Sequence, residues 1–154
     1  MFRKMMIAAV VAALPMTTVL AQESRATRGD AEKMVKKGVE LLKSGGKDKA
    51  VNEFTAPSKS YVDRDLYLVI YDLEGNCVAH GQNPKQVGKK LIALKDPDGK
   101  PFVQERVDLA KAKGTFWQDY KFTDPLSKKV LPKQMYCERV TDVIVCGGVY
   151  KDGA

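Results

Sequence analysis

Between Tyr67 and Tyr150 the chain switches twice between strand-like and helix-like periodicity, and each junction carries glycine, proline or aspartate. Residues 66–72 (LYLVIYD) are a nearly continuous apolar and aromatic run. Glu74-Gly75-Asn76 makes a turn, and residues 77–81 return as a second short strand, so the pair forms a hairpin. Asp98 and Gly99 lead into Pro101, which suits the first turn of a helix reaching about Lys113 and stopped by Gly114. Phe102, Val103, Val107 and Ala110 share one face of that helix. Residues 115–122 form a third strand, 123–129 a turn containing Asp124-Pro125, and 130–140 with 143–151 a closing hairpin. Hairpins and a meander require no parallel crossover. The expected fold class is therefore α+β, one antiparallel sheet with helices packed on it.

Upstream, residues 27–44 are predicted as a helix that starts near Thr27 or Asp30. Ala31, Met34, Val35, Leu41 and Leu42 give it an interrupted apolar stripe, and Gly45-Gly46 stops it. A shorter helix over 48–54 follows, ended by Pro57, and residues 82–100 read mostly as loop.

Residues 1–21 are set apart from the fold. Arg3 and Lys4 make a short basic start, the next 16 residues are largely apolar but include Pro15, Thr17 and Thr18, and Val19-Leu20-Ala21 offers small residues for cleavage. The apolar run falls short of the roughly 20 residues needed to span a bilayer, so a signal peptide is expected rather than an anchor. No cysteine stands at the cleavage point for lipidation. The mature chain is expected to begin at Gln22 and to form one domain over 22–154, since 154 less 21 leaves 133 residues.

The net charge of +7 falls to +5 without Arg3 and Lys4, and the lysines that carry it are dispersed among acidic residues. No nucleic-acid partner is expected of an exported chain. The excess reads as a solvated surface, with attraction to an anionic ligand or acidic partner as the alternative.

Cys137 and Cys146 face each other if Thr141 and Asp142 are the central turn residues. The ladder then pairs Val140 with Val143, Arg139 with Ile144, Glu138 with Val145, and Cys137 with Cys146. That pair falls at a non-hydrogen-bonded position, close enough for a disulfide, as an oxidising compartment favours. Thr-Asp is a poor two-residue turn, however, and a longer loop would shift the register and leave two buried thiols. Cys77 is left over as a packed cysteine.

The order of YDLEGNCVAHGQNPKQVGKKL, KDPDGKPF, GTFWQDY, LPKQMY and GGVY resembles the single Cache family of extracytoplasmic sensor domains over roughly residues 30–152. The resemblance implies a PAS-like antiparallel sheet of about five strands, a long N-terminal helix across its back, and a ligand pocket on the other side. It also implies a small ligand, often a short carboxylate such as acetate, propionate, lactate or pyruvate, sensed on behalf of chemoreceptors and histidine kinases. Two departures are expected: no membrane helix or output module follows the domain, and Cys137 and Cys146 replace aliphatic or small residues. The cross-link should add about 2 to 3 kcal/mol.

Lys133, in the Pro-Lys-x-x-Tyr motif, is the first candidate for the ligand's charge partner, beside the plainer reading as one surface lysine among many. Tyr120 closes the Trp-x-x-Tyr motif that Trp117 opens. Three apart on a regular strand, the two face opposite sides unless a bulge intervenes. Tyr67 and Tyr71 share a strand face, and Tyr136 and Phe102 complete the aromatic candidates. His80, the one histidine, is expected at the pocket mouth, where its titration near neutrality would make affinity depend on pH.

Asp72 and the Asp96 to Gly99 segment read as turn and cap chemistry, and no metal or cofactor is expected. Nucleophile elbows, zinc motifs and haem attachment motifs are all missing from the sequence, so no enzyme is expected. The leading expectation is a periplasmic carboxylate-binding sensor acting through a membrane receptor, histidine kinase or transporter. The alternative is an interaction or scaffold module with a closed or vestigial pocket, dimeric along its N-terminal helix.

Overall fold

A computed structural model describes residues 24–151; the signal-peptide expectation lies outside them. Two helices, α1 (Arg28–Gly45) and α2 (Lys47–Phe54), precede strands β1 (Val62–Asp63), β2 (Leu66–Asp72) and β3 (Cys77–His80). After a 3₁₀ turn at Pro84–Gln86 come α3 (Phe102–Lys113), β4 (Thr115–Thr123), β5 (Val130–Val140) and β6 (Val143–Tyr150). The sheet runs β1-β2-β6-β5-β4 with β3 also paired to β2, and every pairing is antiparallel. This is the expected α+β architecture. The two-residue β1 is the one strand that no apolar run announces.

Strand period explains why both faces of the sheet are buried. Leu66, Leu68 and Ile70 of β2 point toward α1 and α2, while Tyr67, Val69 and Tyr71 point toward α3. On the α1 side Gly38 lets the helix settle closely, since a Cβ there would stand 2.7 Å from Leu68 Cδ1. That seating buries Val35 and Val39 and leaves Met34, Leu41 and Leu42 of the expected stripe only partly covered. Thr27 caps α1: its Oγ1 accepts from the Asp30 N–H, and the Asp30 carboxylate accepts from the Thr27 N–H.

The closing hairpin has the expected register, with Cys137 opposite Cys146 and the two joined as a disulfide, Cα atoms 4.2 Å apart. Thr141 holds the tight turn at φ +53°, a conformation that β-branched residues rarely adopt. Cys77 is a free, buried thiol, its pKa pushed up to about 11 by burial.

A buried carboxylate ties the two ends of the domain together. One oxygen of Asp65, in the β1–β2 turn, accepts from the Ala26 N–H at 2.7 Å, and the other accepts from the Tyr150 N–H at 3.0 Å. Arg25 lies 3.6 Å from Asp65 and donates to Asp124 at 3.0 Å. Burial works against a charge on Asp124, but hydrogen bonds from Arg25 and Ser127 outweigh it and hold its carboxyl well below the ordinary range.

Candidate functional site

The sheet face under α3 gathers four tyrosines and two cations in an otherwise apolar layer. β2 supplies Tyr67 and Tyr71, β4 supplies Tyr120, β6 supplies Tyr150, β5 supplies Lys133, and α3 lays Phe102 and Arg106 over them. Phe102 stacks on Tyr120, ring centroids 4.6 Å apart. Gly148 clears a path for the lysine stem, because a Cβ there would stand 2.8 Å from Lys133 Cε and 2.9 Å from the Gln134 carbonyl oxygen.

Lys133 is 1% exposed. Its ammonium lies 4.0 Å from the Tyr67 ring centroid and 4.6 Å from that of Tyr150, and it donates to the Tyr150 hydroxyl at 3.2 Å. That hydroxyl in turn donates to the Thr123 carbonyl at 2.7 Å. No carboxylate among the described residues lies within ion-pair distance of Lys133. Burial, and then the Arg106 charge, push its pKa well below the ordinary lysine value, while Asp65 and Asp124 pull weakly the other way. The tyrosines around it are held protonated by burial, Tyr71 with its pKa raised to about 12. They remain hydrogen-bond donors at neutral pH.

Arg106 is also 1% exposed, its guanidinium carbon 5.1 Å from the ring centroids of both Tyr71 and Tyr120 and 5.5 Å from that of Phe102. Its Nε donates to Gln118 Oε1 at 3.0 Å, and Gln118 is fixed by donating to the Phe102 carbonyl and to Glu105. The Arg106 Nη2 is buried without a hydrogen-bond partner among the described residues. Neither Arg106 nor Tyr150 was a sequence candidate. The available signal was position: an arginine at 106 sits on the stripe of Phe102, Val103, Val107 and Ala110, where a charge has no place unless something pairs with it.

His80, at the end of β3, is nearly buried and stacks on Tyr67, with centroids 5.3 Å apart. Its Nδ1 accepts the Gln82 and Asn83 N–H groups at 3.2 and 3.0 Å, which leaves the proton on Nε2. The expected titration near neutrality is corrected here. Burial first, then the Lys133 and Arg106 charges, lower the His80 pKa to about 4. In the window between about 6.5 and 4 the unfolded chain takes up a proton that the folded chain refuses, so stability falls as pH drops through it, by up to roughly 3 kcal/mol. Urea denaturation at pH 7 and pH 4.5 should show this fall in the wild type and a clearly smaller one in His80→Asn. Equal falls in the two proteins would contradict a neutral buried histidine.

Other candidates land elsewhere. Trp117 and Tyr136 are neighbours across β4 and β5 on the opposite face, ring centroids 5.2 Å apart, in the layer covered by α1. The β4–β5 ladder runs without a bulge from Thr115 to Thr123, so of Trp117 and Tyr120 only Tyr120 faces Lys133. The Arg28 guanidinium covers Trp117, and the Tyr136 hydroxyl donates to Glu138. Lys133 and Tyr120 line a cleft of about 290 Å³ that Lys121 and Asp98 also border, whereas Tyr67 and His80 line a second of about 450 Å³ with Asn83 and Phe122. Two rings that line the second cleft also pack on the lysine, the Tyr67 and Phe122 centroids lying 4.0 and 5.8 Å from its ammonium. Asp72 and Asp96 accept backbone N–H groups as turn residues.

An antiparallel sheet with a long helix behind it and a polar aromatic layer in front is a PAS-like α+β fold. The chain belongs to the Single Cache domain 2 family, whose sequence model matches residues 3–153. It is 30% identical over 114 residues, 71% of this chain, to the sensor histidine kinase MctS of Rhizobium johnstonii. It is 32% identical over 92 residues, 58% of this chain, to the methyl-accepting chemotaxis protein McpP of Pseudomonas putida. The chain spans 24% and 17% of the length of these two relatives. A Cache chemosensory domain whose structure was solved for carboxylic acid recognition superposes with a TM-score of 0.64 at 26% identity, over 80% of this chain and 88% of that one. Cache domains are extracytoplasmic sensor domains and are not enzymes by themselves. No helix among the described residues is long and apolar enough to cross a membrane.

Proposed function

We propose that this domain senses a short carboxylate of two to four carbons in the periplasm and passes its liganded state to a membrane receptor, histidine kinase or transporter. The observation that carries the reading is the buried Lys133 ammonium, with no carboxylate of the described residues beside it. A buried cation without a counter-charge is costly, and an anionic ligand removes that cost. Lys133 is the charge partner in this reading, with Tyr67, Tyr71, Tyr120 and His80 as donors and Phe102 as apolar wall. The Cache domain solved for carboxylic acid recognition and the chemoreceptor and kinase relatives support it. The basic and apolar start of the chain supports the address.

A thermal shift screen against two- to four-carbon acids, amines and urea tests the proposal. An acid at a hundred times its dissociation constant should stabilise the domain by about 2.7 kcal/mol, whereas amines and urea should not. The absence of a shift with every acid would favour a closed-pocket interaction module, a reading supported by the division of Lys133 and His80 between two clefts.

A further inference from the structure

We infer that Arg106 reads a second oxygen function on the ligand, so that the site prefers carboxylates bearing a 2-oxo, 2-hydroxy or second carboxylate group over plain acids of the same length. The inference rests on the reading of this face as a carboxylate site and adds the class of acid that it selects.

Two buried cations enter the layer from different elements, Lys133 from β5 and Arg106 from α3. Their surroundings differ. Lys133 lies against Tyr67, Tyr150 and Phe122, while Arg106 lies against Tyr71, Tyr120 and Phe102. Tyr67 and Tyr71 stand four residues apart on one face of β2, so the two cations are directed at different parts of the layer. Gln118 fixes the guanidinium through Nε, and the Gln118 amide is itself held by the Phe102 carbonyl and Glu105. Arg106 is therefore pre-oriented, yet its Nη2 has no acceptor among the described residues. The Tyr71 and Tyr120 hydroxyls also interact with the guanidinium, but Nη2 is left without a partner, and aromatic faces do not replace an in-plane acceptor for its N–H. A one-function acid held on Lys133 leaves that donor unpaired. An acid with a further oxygen satisfies it, and a site built around a buried donor discriminates strongly against the analogue lacking the acceptor.

Calorimetric titration of the wild type with propionate, lactate, pyruvate and malonate tests the inference, alongside Arg106→Gln and Arg106→Lys. The wild type should bind pyruvate, lactate or malonate at least about tenfold more tightly than propionate. Arg106→Gln, its folding checked by a cooperative urea transition and circular dichroism, should lose the preference, the ratio of pyruvate to propionate affinity falling toward one. If Arg106→Gln does not fold, Arg106→Lys, which keeps the charge without the planar fork, should show a reduced preference. Propionate binding as tightly as pyruvate, lactate and malonate in the wild type, or a preference unchanged in a folded Arg106 variant, overturns the role of Arg106 and leaves the carboxylate site standing. Binding of none of the four acids removes the carboxylate reading and this inference together.

Discussion

Replacing Lys133 by methionine should make the unliganded domain more stable, by roughly 1 to 4 kcal/mol, and abolish its thermal response to short acids. The two effects have one cause. Among the described residues the ammonium has a single hydrogen bond, to the Tyr150 hydroxyl, and lies against the rings of Tyr67, Phe122 and Tyr150. Methionine has a similar length and fills the same path over Gly148 without a charge to desolvate. Denaturant titration with and without acetate separates the outcomes. A stabilised variant blind to acid is the expected result. A variant destabilised by several kcal/mol would make Lys133 a structural residue, and one that still responds to acid would place the ligand elsewhere.

The second large effect is expected at Asp65. Its two carboxylate oxygens accept the Ala26 and Tyr150 N–H groups, and Arg25 stands beside it. Asp65→Ala leaves both buried N–H groups unpaired and Arg25 with only Asp124 of these two carboxylates, so a loss of roughly 3 to 5 kcal/mol is expected. Asp65→Asn keeps one acceptor oxygen and should fall between alanine and the wild type. Urea midpoints measure the series, and a loss below about 1 kcal/mol for alanine would mean that water replaces the carboxylate without penalty. Because Tyr150 carries both the Asp65 contact and the Lys133 contact, one residue connects the candidate site to the start of α1.

What the sequence disclosed follows from periodicity. The period of two in strands places Tyr67 with Tyr71, separates Trp117 from Tyr120, and sets Cys137 opposite Cys146 once the turn is taken at Thr141 and Asp142. It does not say which face meets which helix. Which of Trp117 and Tyr120 shares a layer with Lys133 depends on the helix that covers each face, and α1 covers Trp117 and Tyr136 behind the sheet. Burial was the other missing quantity. His80 reads as a titrating switch until its ring is stacked on Tyr67 and placed near two cations, and nothing in the sequence marks Asp65 as the acceptor of two buried N–H groups. Arginine is ordinarily a surface residue, and only its place on the helical stripe marks Arg106 as buried.

A crystal structure of the domain grown with propionate or pyruvate tests the central claim most directly. The carboxylate is expected within about 3 Å of the Lys133 ammonium, with hydroxyls from Tyr67, Tyr71 or Tyr120 at its edge. An acid bound only on the α1 side of the sheet, or a saturating acid that leaves the Lys133 layer empty and closed, would contradict it.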